Sequence, residues 1–510
     1  MFAGENKREK IIVLLTMCFA LFMAMLDNTV VNVALPTIQL KLRAGFSALQ
    51  WIVDGYVLAF ASLLLTGGIL GDRYGRKRMF LSGLALFTLA SAGCGLSGSA
   101  SMLIAFRALQ GVGGAMLIPG TLSILTVTFP PQERAQALGI WAGVSGIALA
   151  LGPTLGGYLV DHVGWQSVFF LNIPIGIAGF IVATRVVRES HSEFQRRLDF
   201  GGLALGTLAL VSLTFGIIEA NDKGWRDPLI VATLIGFVVF SVAFLMWERR
   251  SDHAMLPLAL FRVPAFAAGN AIAFAISLGM FGTFFFMALY MQQIRGYRPF
   301  SAGLRLLPLT VMIIVVAPNA GRLASKYGSR WPMTFGLTMA GSGLLLMTRL
   351  TVGTPYILMV PVMMIMGIGM ASTIAPMTAA VMNSVGPQRA GLGSAMTNTS
   401  REVGGVFGIA LLGTLLTTKM KASLGAAAGL GIEQRRALAA AAGHTPLPYL
   451  VKQLGAQGGI AISAWMDGFR LALTVGGMVL LVAAFVAYRF IPGTPASAHA
   501  PGDAEVVPAH

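Results

Sequence analysis

Apolar stretches long enough to cross roughly 30 Å of hydrocarbon as helices recur from one end of this 510-residue chain to the other. Hydropathy puts them near 11–36, 49–70, 79–98, 102–126, 137–160, 165–187, 198–219, 228–247, 265–291, 302–320, 331–350, 356–382, 391–417 and 467–490. A backbone in lipid finds no water to bond, so each run must close its own hydrogen bonds as a helix. The expectation is an all-α polytopic membrane protein with fourteen spans. Composition agrees: 11% of residues are charged, against about 25% in soluble domains. The net charge of +16 suggests nucleic acid, but the cations sit in short loops between apolar runs. Topology and contact with anionic membrane lipid account for them, and no nucleic-acid partner is expected.

Lys7, Arg8 and Lys10 precede the first run, as in a signal peptide. The run is too long for one and lacks a small-residue cleavage site, so an uncleaved helix entering from the cytoplasm is expected. An even span count then puts both termini in the cytoplasm of a plasma or inner membrane protein. The inward loops carry about twenty Lys and Arg and the outward ones about twelve, five of them in segment 419–464. Long translocated loops escape the positive-inside bias, which favours this orientation roughly threefold over short loops. Segment 419–464 is Ala- and Gly-rich, with a short amphipathic helix expected near Glu433 to Ala442; residues 491–510 are expected to be a disordered tail. Cys18 and Cys94 lie inside apolar runs, which argues against a disulfide framework.

Between the second and third runs lies Gly67-Gly-Ile-Leu-Gly-Asp-Arg-Tyr-Gly-Arg-Lys-Arg-Met-Phe80. A weaker copy, Gly321-Arg-Leu-Ala-Ser-Lys-Tyr-Gly-Ser-Arg330, puts Gly68 on Gly321, Arg73 on Lys326, Tyr74 on Tyr327 and Gly75 on Gly328. Two unrelated basic turns would not share the Tyr-Gly pair. An internal repeat of whole helix pairs is the mark of a two-lobed transporter.

Ionisable residues within spans are functional candidates by default. At about 1.5 Å per residue, Asp27, Asp54 and Arg107 fall roughly 14, 8 and 9 Å below the outer face. Groups at comparable depth can pair, which makes their burial tolerable; the plainer alternative is a salt bridge that only pins helices. A guanidinium stays charged at physiological pH, so Arg107 cannot carry a proton itself. Its stretch, Arg107-Ala-Leu-Gln110-Gly111-Val-Gly, has a partner, Met363-Met-Ile-Met366-Gly367-Ile-Gly, in span twelve. The glycines persist and the polar groups become methionine, which confines the ion chemistry to the first lobe. Span nine presents Asn270, Phe274, Ser277, Phe281, Phe285 and Gln292 at helical spacing. With Met363 and Met366 these suit a pocket for flat apolar cations or amphiphiles; lipid-facing or packing side chains are the alternative.

Other chemistries lack their residues. Gly71 to Arg78 has no phosphate-loop spacing and no preceding strand, which argues against ATP as the energy source. The six histidines lie in loops or tails without metal-ligand spacing, and no hydrolase motif supports a membrane enzyme.

The Gly68–Arg78 turn, Arg107 to Gly111, Asp27 to Pro36 and Gly152-Pro153-Thr-Leu-Gly156-Gly157 resemble the signature motifs of the major facilitator superfamily. With Asn172-Ile-Pro174 and the long penultimate outer loop, the chain is similar to its fourteen-span EmrB/QacA-type drug:proton antiporters. The resemblance implies an N-terminal lobe over 1–187, two inserted helices over 188–264 and a C-terminal lobe over 265–490. It implies export of hydrophobic or amphiphilic drugs out of the cytoplasm, driven by the proton gradient without a cofactor. Asp27 takes the place of the coupling acid and Arg107 that of the span-four arginine. Asp54 and Glu402 depart from the usual pattern and join them as proton-coupling candidates. Gly68, Gly71, Asp72, Arg73, Gly75 and Arg76, with Gly152, Pro153, Gly156 and Gly157, fall at the gate and switch positions. A dedicated exporter of one endogenous antibiotic, siderophore or lipid, and a sensor on the same frame, are the alternatives; a periplasmic adaptor becomes a partner only in a Gram-negative source. The topology is checked by a reporter fused after Arg489, expected in the cytoplasm, and a cysteine at Gly443, expected to label from outside; an external C-terminus would refute the span count.

Overall fold

The computed structural model describes residues 7–191, 199–251, 258–385, 390–427 and 447–493, with 431, 433–435 and 438. The first set of helices is α1 (Lys7–Leu42), α2 (Phe46–Tyr74), α3 (Arg76–Gly95), α4 (Ala100–Thr128), α5 (Pro131–His162), α6 (Ser167–Phe170) and α7 (Asn172–Val186). A hairpin follows, α8 (Phe200–Lys223) and α9 (Pro228–Arg250). The second set is α10 (Pro264–Leu289), a π turn (Tyr290–Ile294), α11 (Pro299–Arg305), α12 (Leu307–Tyr327), α13 (Arg330–Met347), α14 (Tyr356–Val385), α15 (Ala390–Gly425), α16 (Leu447–Leu454) and α17 (Gly458–Phe490). Each set packs chiefly on itself, and α9 packs chiefly on α8.

Among the described residues twelve helices are long and apolar enough to cross a membrane. The sequence count of fourteen adds α5 and α13, of 32 and 18 residues. The sixth run is broken after Phe170, because Pro174 has no N–H to carry the ladder across that turn. The segment expected over 419–464 is shorter, since α15 runs to Gly425 and α17 starts at Gly458. Most of the amphipathic helix expected near Glu433 to Ala442 lies outside the described residues; a helix is described instead at Leu447–Leu454. Of the tail expected from 491, only 491–493 are described: Ile491 is buried and its carbonyl accepts from Arg330 Nε at 2.7 Å. Residues 494–510 lie outside the described residues.

Glycine sets how closely the helices approach. A Cβ on Gly67 would lie 2.1 Å from the Ala115 carbonyl oxygen, and one on Gly111 2.3 Å from that of Tyr56. The second set repeats the contact, with Gly367 2.3 Å from the Leu309 carbonyl by the same measure. Packing by small residues is how helices associate in lipid, where burial of apolar surface supplies little drive. The internal repeat is therefore a repeat of close backbone approaches.

The two sets meet at one end, that of the C-termini of α1 and α5 and the N-termini of α2 and α11. There Gln50 Nε2 donates to the Ile409 and Ala410 carbonyls at 2.8 and 3.1 Å. In the reverse sense Gln292 donates to the Val33 carbonyl at 2.8 Å, and Gln293 to Gln39 Oε1 at 2.7 Å. A Cβ on Gly157 would sit 2.4 Å from the Pro299 carbonyl, and one on Gly303 2.1 Å from that of Pro153. This end, away from Lys7 and Ile491, is called distal below. Gly67→Val is expected to lower the thermal midpoint of the purified protein, since overpacking a close contact typically costs about 1–3 kcal/mol; Gly98→Ala, which meets nothing within 4 Å, should leave it unchanged.

Candidate functional site

Asp27 lies in the middle of α1 and is 1% exposed. Its Oδ2 pairs with Arg107 Nη1, while Oδ1 accepts from Gln110 Nε2 and Asn172 Nδ2, each at 2.9 Å. The two amides are held by one further group, the Ser91 hydroxyl, which accepts from them at 2.7 and 2.9 Å. Arg107 also donates from Nε to the Ile52 carbonyl at 3.0 Å and from Nη1 to Gln110 Oε1 at 2.7 Å. Its guanidinium lies 4.3 Å from the Tyr56 ring centroid and 5.9 Å from that of Phe169.

Local sequence places each of these groups. Gln110 follows Arg107 by three residues, so both point the same way from α4. Gly111 lets α4 close on α2 and brings Arg107 against Tyr56 and Ile52. The break after Phe170 puts Asn172 at the first residue of α7, where its side chain turns into the bundle. Three N–H donors on one buried carboxyl match a carboxylate, which only accepts; a proton on either oxygen would face a donor. Arg107 and Asp27 thus meet as the sequence expectation has them. Ser91 and Tyr56 carry no signal in the sequence, and Gln110 and Asn172 stand there only as motif members; the replacement of Gln110 by Met366 in the repeat is the available signal.

Asp54 does not join the cluster. It is fully buried and neither carboxyl oxygen has a hydrogen-bond partner. One helical turn from Gln50, it belongs to the stripe of α2 that meets α15, whereas Arg107 reaches α1. Depth along the membrane normal could not distinguish those directions. Glu402 on α15 likewise leaves Oε2 without a partner.

At the opposite end, Asp72 Oδ1 accepts from Arg76 Nε and Nη2 at 2.9 and 2.7 Å. That pairing stays within its own turn. The carboxylate from a neighbouring segment is Glu189, unnoticed in the sequence, which accepts from the Lys77 and Arg78 backbone N–H groups at 3.0 and 3.2 Å. An anion there satisfies the free N–H groups of the α3 N-terminus. Gly75 sits at φ 113°, a conformation open mainly to glycine, and a Cβ would lie 2.7 Å from Glu189. Arg73 stacks on Tyr74 at 5.4 Å, and Gly68 and Gly71 make ordinary contacts with Pro119 and Met79.

The glycines of α5 divide between two partners. A Cβ on Gly152 would lie 1.8 Å from Thr29 Oγ1 and one on Gly156 2.3 Å from Val30, both on α1. Gly157 and the Pro153 carbonyl instead meet α11, so the motif touches both helix sets.

The expected pocket residues do not converge. Met363 and Met366 are fully buried, and Met366 fills the space beside Gly343. Phe285 is buried against Phe46 and Phe286, at 5.8 and 5.2 Å between centroids. Asn270 donates to the Phe266 carbonyl and accepts from Ser400, Phe274 packs on Phe407, and Phe281 faces Gly405. Spacing along span nine located a packed face toward α15. A cavity of about 10 Å³, room for one water at most, lies elsewhere, at the distal end between Gln39, Phe46, Gln293, Thr417, Leu447 and Trp465.

The chain is similar over 93% of its length to the tetracenomycin C resistance and export protein of Streptomyces glaucescens, at 34% identity and covering 90% of that protein. It is 32% identical to the multidrug resistance protein Stp of Mycobacterium tuberculosis, over 95% of this chain and 93% of that one. Among solved structures, a bacterial homologue of the human lysosomal transporter Spinster, in an inward-facing and unoccupied conformation, shares the fold with a TM-score of 0.69 at 18% identity, covering 95% of this chain and 97% of that one. The family model described as Major Facilitator Superfamily matches residues 17–409. With a polar core in one helix set, a glycine scaffold in both and this match over most of its length, the chain belongs to the Major Facilitator Superfamily, as a multi-pass membrane transporter.

Proposed function

We propose that the protein exports hydrophobic or amphiphilic drugs from the cytoplasm in exchange for protons, by alternating access between an N-terminal and a C-terminal lobe. The observation that carries this reading is the Asp27 site, a buried carboxylate with every donor supplied by its own lobe. The names of the relatives support the cargo. In this reading α5 and α13 also cross the membrane, making fourteen spans with α8 and α9 between the lobes, and both termini are cytoplasmic. The distal end is then extracellular, and the conformation is sealed outside, as in the inward-facing Spinster homologue.

The cycle follows from the hydrogen bonds. Sealed outside, Asp27 is held as a carboxylate by Arg107, Gln110 and Asn172. A proton reaches it from outside only in the outward-open state, where it cancels the charge against Arg107, removes one acceptor position and changes the grip of α4 and α7 on α1. With the outside sealed again, substrate arriving from the cytoplasm favours release of that proton inward. Through Gly152 and Gly156, α1 bears on α5, whose Gly157 and Pro153 form part of the distal seal. A change at Asp27 therefore has a packed route to that gate. Asp54, buried with both oxygens unpartnered, and Glu402, half-buried with Oε2 unpartnered, are further proton carriers in this scheme. Asp72 and Arg76 steady the turn about which the cytoplasmic side closes. The gradient supplies the energy and no cofactor is required.

A dedicated exporter of one self-made compound is the second reading, favoured by relatives named for tetracenomycin C and actinorhodin. Neighbouring biosynthetic genes would favour it. Dye and antibiotic efflux from proteoliposomes under an imposed pH gradient tests the main reading; transport indifferent to the gradient would sink it. Asp27→Asn should abolish substrate-induced proton release at every pH while downhill substrate exchange survives. An unchanged release profile would pass the role to Asp54 or Glu402. Asp72→Asn should slow transport and leave substrate affinity within about threefold, as expected when a half-buried ion pair of its own turn, worth roughly 1 kcal/mol, is lost; a loss of binding with normal turnover would contradict the gating role.

A further inference from the structure

The hairpin α8–α9 takes no part in the Asp27 site, yet α8 lies against both helix sets at the distal end. Toward α15 it is held firmly. Asn221 donates to Thr414 Oγ1 at 3.0 Å and accepts from Thr417 Oγ1 at 2.6 Å. Thr414 in turn donates to the Ile217 carbonyl at 2.9 Å, and Lys421 Nζ donates to the Asn221 carbonyl. Toward α2 the grip is lighter. Trp51 Nε1 donates to Glu219 Oε1 at 2.9 Å and Ser47 Oγ to the Ile218 carbonyl at 3.4 Å.

Ser47, Gln50 and Trp51 fall at i, i+3 and i+4, on one face of the first turns of α2. Gln50 reaches α15 and its two neighbours reach α8, so α2 is clasped between them. We infer that α8 is a strap of the distal gate: fixed to α15, it moves with the second helix set and releases α2 at Trp51–Glu219 and Ser47–Ile218 when that end opens. The number and length of its bonds decide which side lets go. Donors on α2 that lose Glu219 and the α15 carbonyls must find water, which an opening seam supplies. The strap thus biases the protein toward the sealed state without touching cargo or proton site.

This inference rests on the alternating-access reading, and its test separates the two. The full chain, with Cys18 and Cys94 replaced and Phe46→Cys as the sole thiol, is reconstituted in liposomes and labelled from the distal side with a membrane-impermeant maleimide. Phe46 is 8% exposed in the sealed seam, so labelling reports opening. Trp51→Phe keeps a ring and loses the donor; Glu219→Leu loses the acceptor. Each should raise the labelling rate about fivefold, the factor that corresponds to about 1 kcal/mol for one hydrogen bond. Glu219→Gln keeps an acceptor oxygen and should stay at the wild-type rate. Gly303→Ala, which forces α11 from α5, should raise labelling independently of α8. If Gly303→Ala opens the seam and the Trp51 and Glu219 variants do not, the strap is refuted while alternating access stands. An increase in Glu219→Gln equal to that in Glu219→Leu also refutes it. No increase in Gly303→Ala overturns the alternating-access reading, and the strap with it.

Discussion

The ion pair between Asp27 and Arg107, both fully enclosed, is the constraint on which the first half of the molecule depends. Removing two charges from water costs several kcal/mol per ion, and their attraction repays it only when the remaining lone pairs and protons are also bonded. That requirement brings Gln110, Ser91 and Asn172 to the same point from α4, α3 and α7. It also explains why Gly111 and Gly113 face α2 and α3: the helices must close to within a backbone's width for such short side chains to meet.

The second half keeps the scaffold and discards the charge. Gly367 and Gly369 make the approaches that Gly111 and Gly113 make, while Met363 and Met366 fill the positions of Arg107 and Gln110 and are buried. At these positions one half carries a buried ion pair and the other apolar packing, a difference on which the proposed coupling of proton to movement rests. The α5 glycines join the two, with one face on α1 and the other on α11.

The distal seal is closed chiefly by neutral amides, carbonyls and glycine contacts, with Asp161 Oδ2 accepting from the Phe300 N–H at 3.1 Å and α8 laid across part of the same seam. Amide hydrogen bonds are modest in net value and exchange readily with water, so a seal made of them holds without trapping the molecule. A seal of buried ion pairs would cost far more to break.

Much of this was legible in the residues. Apolar runs of bilayer length require a helical bundle because lipid offers no partner to the backbone. The copied Tyr-Gly turn reveals the repeat, and Asp27 and Arg107 stand out because charge in a span is costly. Hydropathy mislaid helix ends, since α15 and α17 run on past their apolar cores. Depth along the chain put Asp54 level with Arg107 but said nothing of its direction, and its carboxylate oxygens find no partner. Helical spacing found the aromatic face of α10 and could not tell a pocket from a packed surface, because both want the same side chains. By itself the sequence determined the class of fold, the repeat and the replacement of Arg107 and Gln110 by methionine in its second copy, for these follow from what lipid will tolerate. Which groups satisfy that charge, that Asp72 pairs within its own turn while Glu189 caps α3, and that α8 bridges the seam were decided by the tertiary structure, because each depends on where distant helices turn their faces.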